Sequence, residues 1–95
     1  MFASHTTMQF KPGGMDAVLA DMDKIAPDIR NFDGLKEFFV LKSDDTTGVV
    51  VAIYENQQAQ ESANPKVLEI LGGMAEHLAG PPDRKGCEVV YNLDI

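Results

Sequence analysis

The sequence predicts an α+β domain of the ferredoxin-like type: element order β-α-β-β-α-β, one antiparallel sheet, and both helices on one face of it. Three observations carry this reading. Four stretches of two-residue alternation or dense β-branched and aromatic residues surround two stretches of helical periodicity. Turn chemistry separates them at short intervals, at Lys11-Pro12-Gly13-Gly14, Asp33-Gly34 and Gly80-Pro81-Pro82. A chain of 95 residues is one domain, residues 1–95, and two crossover helices flanking a hairpin in so short a chain make the split β-α-β arrangement.

Phe2 to Phe10 is the first strand. Phe2, Met8 and Phe10 share one face with Ser4 and Thr6, while Ala3, His5, Thr7 and Gln9 share the other. A helix follows, because Met15, Val18, Leu19, Met22, Ile25, Ala26 and Ile29 recur at helical spacing and Asp16, Asp21, Asp23, Lys24 and Asp28 avoid that stripe. Pro27 falls off the stripe and predicts a bend rather than a stop. Leu35 to Lys42 is the second strand, with Phe38-Phe39-Val40-Leu41 at its heart, and Glu37 alternates with Leu35, Phe39 and Leu41. A polar loop, Ser43 to Gly48, joins it to a third strand, Gly48 to Glu55.

The second helical region reads as two pieces. Asn56 caps the first, and Asn64-Pro65 restarts the second, with asparagine as cap and proline at the first helical position. Val67, Leu71, Met74 and Leu78 form its stripe, and Gly80-Pro81-Pro82 stops it. Asp83 to Gly86 reads as loop. Cys87 to Asp94 reads as the last strand, with Val89, Tyr91 and Leu93 alternating with Glu88, Asn92 and Asp94.

Strands two and three break the rule for a sheet covered on one side, which should alternate apolar-in and polar-out. Val49, Val51 and Ile53 lie on one face and Val50, Ala52 and Tyr54 on the other. Two helices cover only one face, so the expected cover for the second is another copy of the chain: a homodimer packed sheet to sheet. A domain this small buries only about 60–65% of its unfolded surface, which a dimer interface supplements.

Composition removes other classes. The net charge of −7, with eight scattered Lys and Arg, argues against a nucleic-acid partner. No apolar run approaches the roughly 18 residues of a membrane span, and MFASHTTMQF lacks the basic start and apolar core of a signal peptide. The single cysteine, Cys87, makes no intrachain disulfide, so the expected location is cytoplasmic. His5, His77 and Cys87 have none of the close spacings of a zinc or iron site, so no metal is expected.

KPGG after the first strand, IRNFDGL, EFFVLKSDD, and above all VAIYENQQAQESANP followed by LAGPP and a closing strand resemble the antibiotic-biosynthesis monooxygenase-like group of dimeric α/β-barrel proteins. The resemblance spans the chain and rests on markers of fold. It implies a homodimer whose sheets face each other as a barrel, each subunit with its own pocket between sheet and helices. Some members of the group oxidise polycyclic phenols to quinones with molecular oxygen and no cofactor, and others degrade haem. The haem-degrading members use an Asn on strand one, a Trp, and a His on the second helix. Thr6 falls near that Asn position, the chain has no Trp, and His77 lies beyond the expected ligand position. Of the Asn, Trp, Tyr and Arg used by the quinone-forming members, the match is Tyr54.

The site expected from these readings is a pocket for a small aromatic molecule lined by Ser4, Thr6, Met22, Phe39, Tyr54 and Met74, with Tyr54, Thr6 and His77 as the candidate catalytic groups. Each has a structural alternative. The hydroxyls of Ser4 and Thr6 either bond to backbone or polarise an apolar cavity, and Tyr54 is either a core aromatic or a ligand contact. His77 either completes a helix C-terminus or does chemistry. Glu37 either reaches solvent or, if buried, is a base. The function expected is cofactor-independent monooxygenation of an electron-rich phenol or quinol, the alternative being a non-catalytic binding or sensing protein of the same fold.

Overall fold

Alternation along the first strand is what divides the sheet into two faces. In the computed structural model, which describes residues 1–95, β1 (Phe2–Gln9), β2 (Leu35–Asp44), β3 (Thr47–Tyr54) and β4 (Asp83–Glu88) form one sheet in the order β2-β3-β1-β4. All neighbours are antiparallel. Helices α1 (Gly14–Arg30) and α2 (Gln57–Gly73) lie on one face, and a short 3-10 turn (Ala75–His77) follows α2. This is the ferredoxin-like βαββαβ fold that the sequence predicts.

Under the helices, Met8 and Phe10 pack with Met15 and Val18 of α1 and with Met74 and Leu78. Ala52 and Tyr54 of β3 pack with Ala63 of α2. Each fully buried Met or Val contributes about 1.5–3 kcal/mol by leaving water. The opposite face carries no helix. Strand register sets three rows across it: Glu37, Ile53, Ala3 and Cys87; Phe39, Val51, His5 and Lys85; Leu41, Val49, Thr7 and Asp83. Its β2–β3 half is apolar and its β1–β4 half is polar, and Phe39 and Leu41 are 47% and 50% exposed there.

The structure corrects three readings of the elements. First, α2 is one helix, not two, and it runs through Pro65. Pro65 and Glu61 are both exposed, so the Glu61 carbonyl that loses its helical donor is open to water. Asn56 caps the helix, its side chain accepting the Ala59 N–H at 2.8 Å. Second, α2 ends at Gly73, because Gly72-Gly73 weakens the helix where the chain has a better use for its backbone. There Lys11 N–H donates to the His77 carbonyl (2.9 Å) and Ala79 N–H to the Gln9 carbonyl (2.8 Å), extending the sheet beside Phe10. Third, the last strand is Asp83–Glu88 rather than Cys87–Asp94. Its partner is β1, with Thr7 opposite Asp83 and Phe2 opposite Glu88, so β4 stops where β1 begins.

At the β2–β3 turn, Asp44 accepts the Thr46 N–H at 2.9 Å and the Thr46 hydroxyl at 3.3 Å. The Thr46 backbone bond, helped by the Thr47 side chain, holds the Asp44 carboxyl below its ordinary value. A lowered native pKa stabilises the fold above the unfolded value of about 3.9 and loses that contribution as pH falls through the native one. Wild type is therefore expected to melt slightly above Asp44→Asn at about pH 6, with the gap closing near pH 2. A gap that stays constant across that range rules the account out.

Candidate functional site

Side chains that alternate onto the helix-covered face of each strand meet inward-facing side chains of α1 and α2 around a cavity of about 60 Å³. Its floor is Ser4, Thr6 and Met8 of β1, Val50, Ala52 and Tyr54 of β3, Phe38 and Val40 of β2, and Arg84 of β4. Its roof includes Met15, Val18 and Met22 of α1 and Val67, Ile70 and Leu71 of α2, with Met74 just beyond. The walls are apolar except at four side chains: Ser4, Thr6, Tyr54 and Arg84.

Ser4, Thr6 and Tyr54 are 1%, 3% and 1% exposed, yet their hydroxyls bond to no protein atom. No fully occluded polar side-chain atom of the protein lacks a partner, so these hydroxyl oxygens are the ones that open onto the cavity. An accessible hydroxyl with no protein partner can bond to a ligand in the cavity, with a typical net gain of about 0.5–1.5 kcal/mol.

Arg84 is the residue that sequence reasoning missed. It lies directly across from Thr6 in the β1–β4 ladder, half-buried, and no carboxylate lies within 4 Å of it. Its Nη2 donates to the Asn64 side-chain oxygen at 2.7 Å, and the same oxygen accepts Gln60 Nε2 at 3.3 Å. Gln60 is itself buried, at 6% exposed. Gln60 and Asn64 stand one turn apart on the inner face of α2, a spacing that places them together. The guanidinium is thus held on one side by Asn64, and its other N–H donors make no hydrogen bond to a protein side chain. Two signals in the sequence pointed here: the i, i+4 amide pair, and the Pro81-Pro82 end of the loop, after which a strand can start at Asp83.

The structure brings five of the six expected pocket residues together: Ser4, Thr6, Met22, Tyr54 and Met74. Phe39 is not among them. A bulge between Leu35 and Glu37 shifts the strand by one residue, so Leu35 packs under the helices while Glu37, Phe39 and Leu41 turn to the open face. Phe38 and Val40 line the cavity in its place. Glu37 is exposed, so the buried-base option for it lapses.

His77 also lies outside the apolar cavity, in a shallow polar groove between the helices with Asp21, Lys24, Asp28, Lys66 and Glu69. It closes the 3-10 turn rather than the last turn of an α-helix, so the dipole argument for it fails. Its Nε2 lies 3.5 Å from Glu76 Oε1, an exposed glutamate. The structural work at this position is done by the backbone: the His77 carbonyl holds Lys11 and abuts Gly14 so closely that a Cβ there would clash with it. Gly14→Ala is expected to cost about 1–3 kcal/mol by overpacking, and His77→Gln less than about 0.5 kcal/mol, as for a surface change. Urea denaturation of the two variants tests the contrast, which fails if His77→Gln is the more damaging.

Haem does not fit this site on donor chemistry. Neither histidine reaches the cavity, since His5 is on the open face and His77 in the groove. No three His, Cys, Asp or Glu side chains gather where they could hold a metal ion. No helix is long and apolar enough to cross a membrane.

Several solved structures share the architecture. A protein of unknown function from Nitrosomonas europaea superposes with a TM-score of 0.81 at 18% identity, over 99% of this chain and 93% of that one. The ActVA-Orf6 monooxygenase of Streptomyces coelicolor, solved in complex with nanaomycin D, gives 0.77 at 21% identity, over 99% and 92%. SnoaB, a cofactor-independent oxygenase from Streptomyces nogalater, gives 0.78 at 11% identity, over 97% and 95%. At these identities the likeness establishes the fold. No curated protein matches the chain. The family model for antibiotic biosynthesis monooxygenase matches residues 1–64, which run from β1 into the first half of α2 and carry every cavity hydroxyl described above. By that match, the chain belongs to the antibiotic biosynthesis monooxygenase family.

Proposed function

We propose that this protein is a cofactor-independent monooxygenase that converts a small electron-rich phenol or quinol into a quinone, acting in the cytoplasm as a homodimer packed through the open sheet face. The observation that carries the reading is the unpaired, half-buried Arg84 guanidinium at the wall of an otherwise apolar cavity. An uncompensated cation there favours an anion, and the anion that suits an apolar, hydroxyl-bearing cavity is a phenolate. The relatives named above, one solved with nanaomycin D and one a cofactor-independent oxygenase, support the same chemistry.

In the proposed reaction the ring lies among the methionines and Phe38, and its oxygen meets Arg84. Lowering the phenol's pKa raises the fraction of phenolate, the form able to give an electron to oxygen. The resulting phenoxyl and superoxide radicals combine at a ring carbon bearing hydrogen. Loss of water from the hydroperoxide gives the quinone, so one phenol and one O₂ yield one quinone and one water. The protein supplies orientation, an anion site and exclusion of bulk water.

The cavity of about 60 Å³ is smaller than the roughly 300–1,000 Å³ typical of ligand pockets. Entry of a ring therefore requires Met15, Met22 and Met74 to repack, which the unbranched methionine side chain does at low cost. An oxygen electrode with a panel of phenols and quinols tests the function, expecting uptake equimolar with quinone formed. Ligand-induced thermal upshifts with no oxygen uptake across the panel would instead favour the non-catalytic binding protein.

A further inference from the structure

Donor and acceptor chemistry fixes the direction of the polar chain that ends at Arg84. A guanidinium only donates, so the Asn64 atom 2.7 Å from Arg84 Nη2 is its oxygen. That same oxygen lies 3.3 Å from the Gln60 side chain, which therefore turns its NH2 group toward it. One amide oxygen thus sits between two donors, Gln60 on one side and Arg84 on the other. Were the Asn64 amide to turn over, its own NH2 would face both donors and satisfy neither.

The fold leaves this arrangement little freedom. Gln60 and Ala63 are the buried residues of α2, Gln60 at 6% exposed. The Gln60 amide lies over Gly86 of β4. A Cβ on Gly86 would stand 3.8 Å from Gln60 Nε2 and would collide with the Phe2 ring at 2.8 Å, so this glycine makes the room in which both pack. Strand alternation sends Asp83 away from the cavity, where it pairs with Lys85 at 3.8 Å and does not compete for the guanidinium. Asn64 is neutral. It orients Arg84 without cancelling its charge, which an aspartate at that position would do.

We propose that Gln60 is a positioning residue for the reaction: by committing the Asn64 amide to present its oxygen, it holds the Arg84 guanidinium at the cavity wall, where the substrate's phenolate meets it. An arginine side chain has many rotamers to lose, and a loosened guanidinium would spend less time beside the phenolate. The competing role is a staple. Gln and Asn one turn apart also support a helix, and α2 carries Pro65 next to Asn64. A staple acts on stability alone, whereas positioning acts on the bound anion. The inference rests on the phenolate reading proposed above.

para-Nitrophenol, whose anion is coloured, tests it by absorbance titration against pH with the full-length protein. In the wild type the bound phenol should ionise with a pKa lowered by about 1–3, as beside an unpaired cation. Gln60→Met keeps the volume and removes the donor; it should raise that value by about 0.5, a threefold change in the ionisation constant. Asn64→Leu should raise it further, and Arg84→Met should return it to that of the free phenol. Gln60→Glu should raise it more than Gln60→Met, because a carboxylate there turns the Asn64 amide over and takes the guanidinium for itself. A wild type that binds no para-nitrophenol, or lowers its pKa no more than Arg84→Met does, overturns the phenolate reading and this inference with it. A lowering that Arg84→Met abolishes and both Gln60 variants leave intact, even with a lower melting temperature, overturns the positioning role alone.

Discussion

Val51→Asp is expected to turn a dimer of about twice 10.4 kDa into a folded monomer. Val51 sits at the centre of the open face, between Phe39 of β2 and His5 of β1 in the register of the sheet. In an isolated subunit this side chain reaches water, so an aspartate there costs little. Against a second apolar face it would be a desolvated carboxylate with His5 of β1 as its one ionisable cross-strand neighbour, costing about 3 kcal/mol. A two-fold interface contains each position twice, so the loss doubles to about 6 kcal/mol, roughly four orders of magnitude in the dimer dissociation constant. Light scattering across a dilution series and circular dichroism at each concentration measure the two parts separately. Lys85→Glu, on the polar half of the same face, is the control expected to keep the dimer. If Val51→Asp still scatters as a dimer at micromolar concentration, the partner packs elsewhere.

Arg84→Met is expected to lower kcat/KM for phenol oxidation by about 100- to 1,000-fold, the range found when one preorganised donor to a developing anion is removed. The substitution keeps the aliphatic stem that covers cavity wall and removes the charge. A purely structural role for Arg84 would penalise all substrates alike. If it stabilises the phenolate, the loss should shrink for phenols made more acidic by electron-withdrawing substituents, because these ionise without help. Asn64→Leu should give a smaller loss in the same pattern, since Asn64 only holds the guanidinium in place. Thr6→Val and Tyr54→Phe, which remove one cavity hydroxyl each, should chiefly raise KM. Unchanged kcat/KM in Arg84→Met, with the protein folded, would sink this assignment.

Much of this architecture is legible in the sequence because it depends on local period. The alternation of Phe2, Ser4, Thr6, Met8 and Phe10 sets which face of β1 is covered, and so places Ser4 and Thr6 in the cavity before any contact is known. The stripes through Met15, Val18 and Met22 and through Val67, Leu71 and Met74 set the inward faces of the helices in the same way. The doubly apolar Val49–Tyr54 stretch marks a sheet with one face left over. What the sequence does not decide is anything set by a partner strand far away in the chain. A single bulge at Lys36 inverts the parity of β2 and exchanges Phe39 for Phe38 in the cavity. β4 ends where β1 begins and starts at Thr7, past which residues 78–79 take the edge of β1, and this pairing moves Asp83–Gly86 from loop to strand and brings Arg84 beside Thr6. Ladder bonds from Lys11 and Ala79 draw residues 77–79 out of the helix, leaving the His77 side chain in an outer groove and its carbonyl in the structure's service. Side-chain periodicity is a property of a segment, whereas register, bulges and strand ends are properties of a pair, and only the assembled sheet supplies the second member.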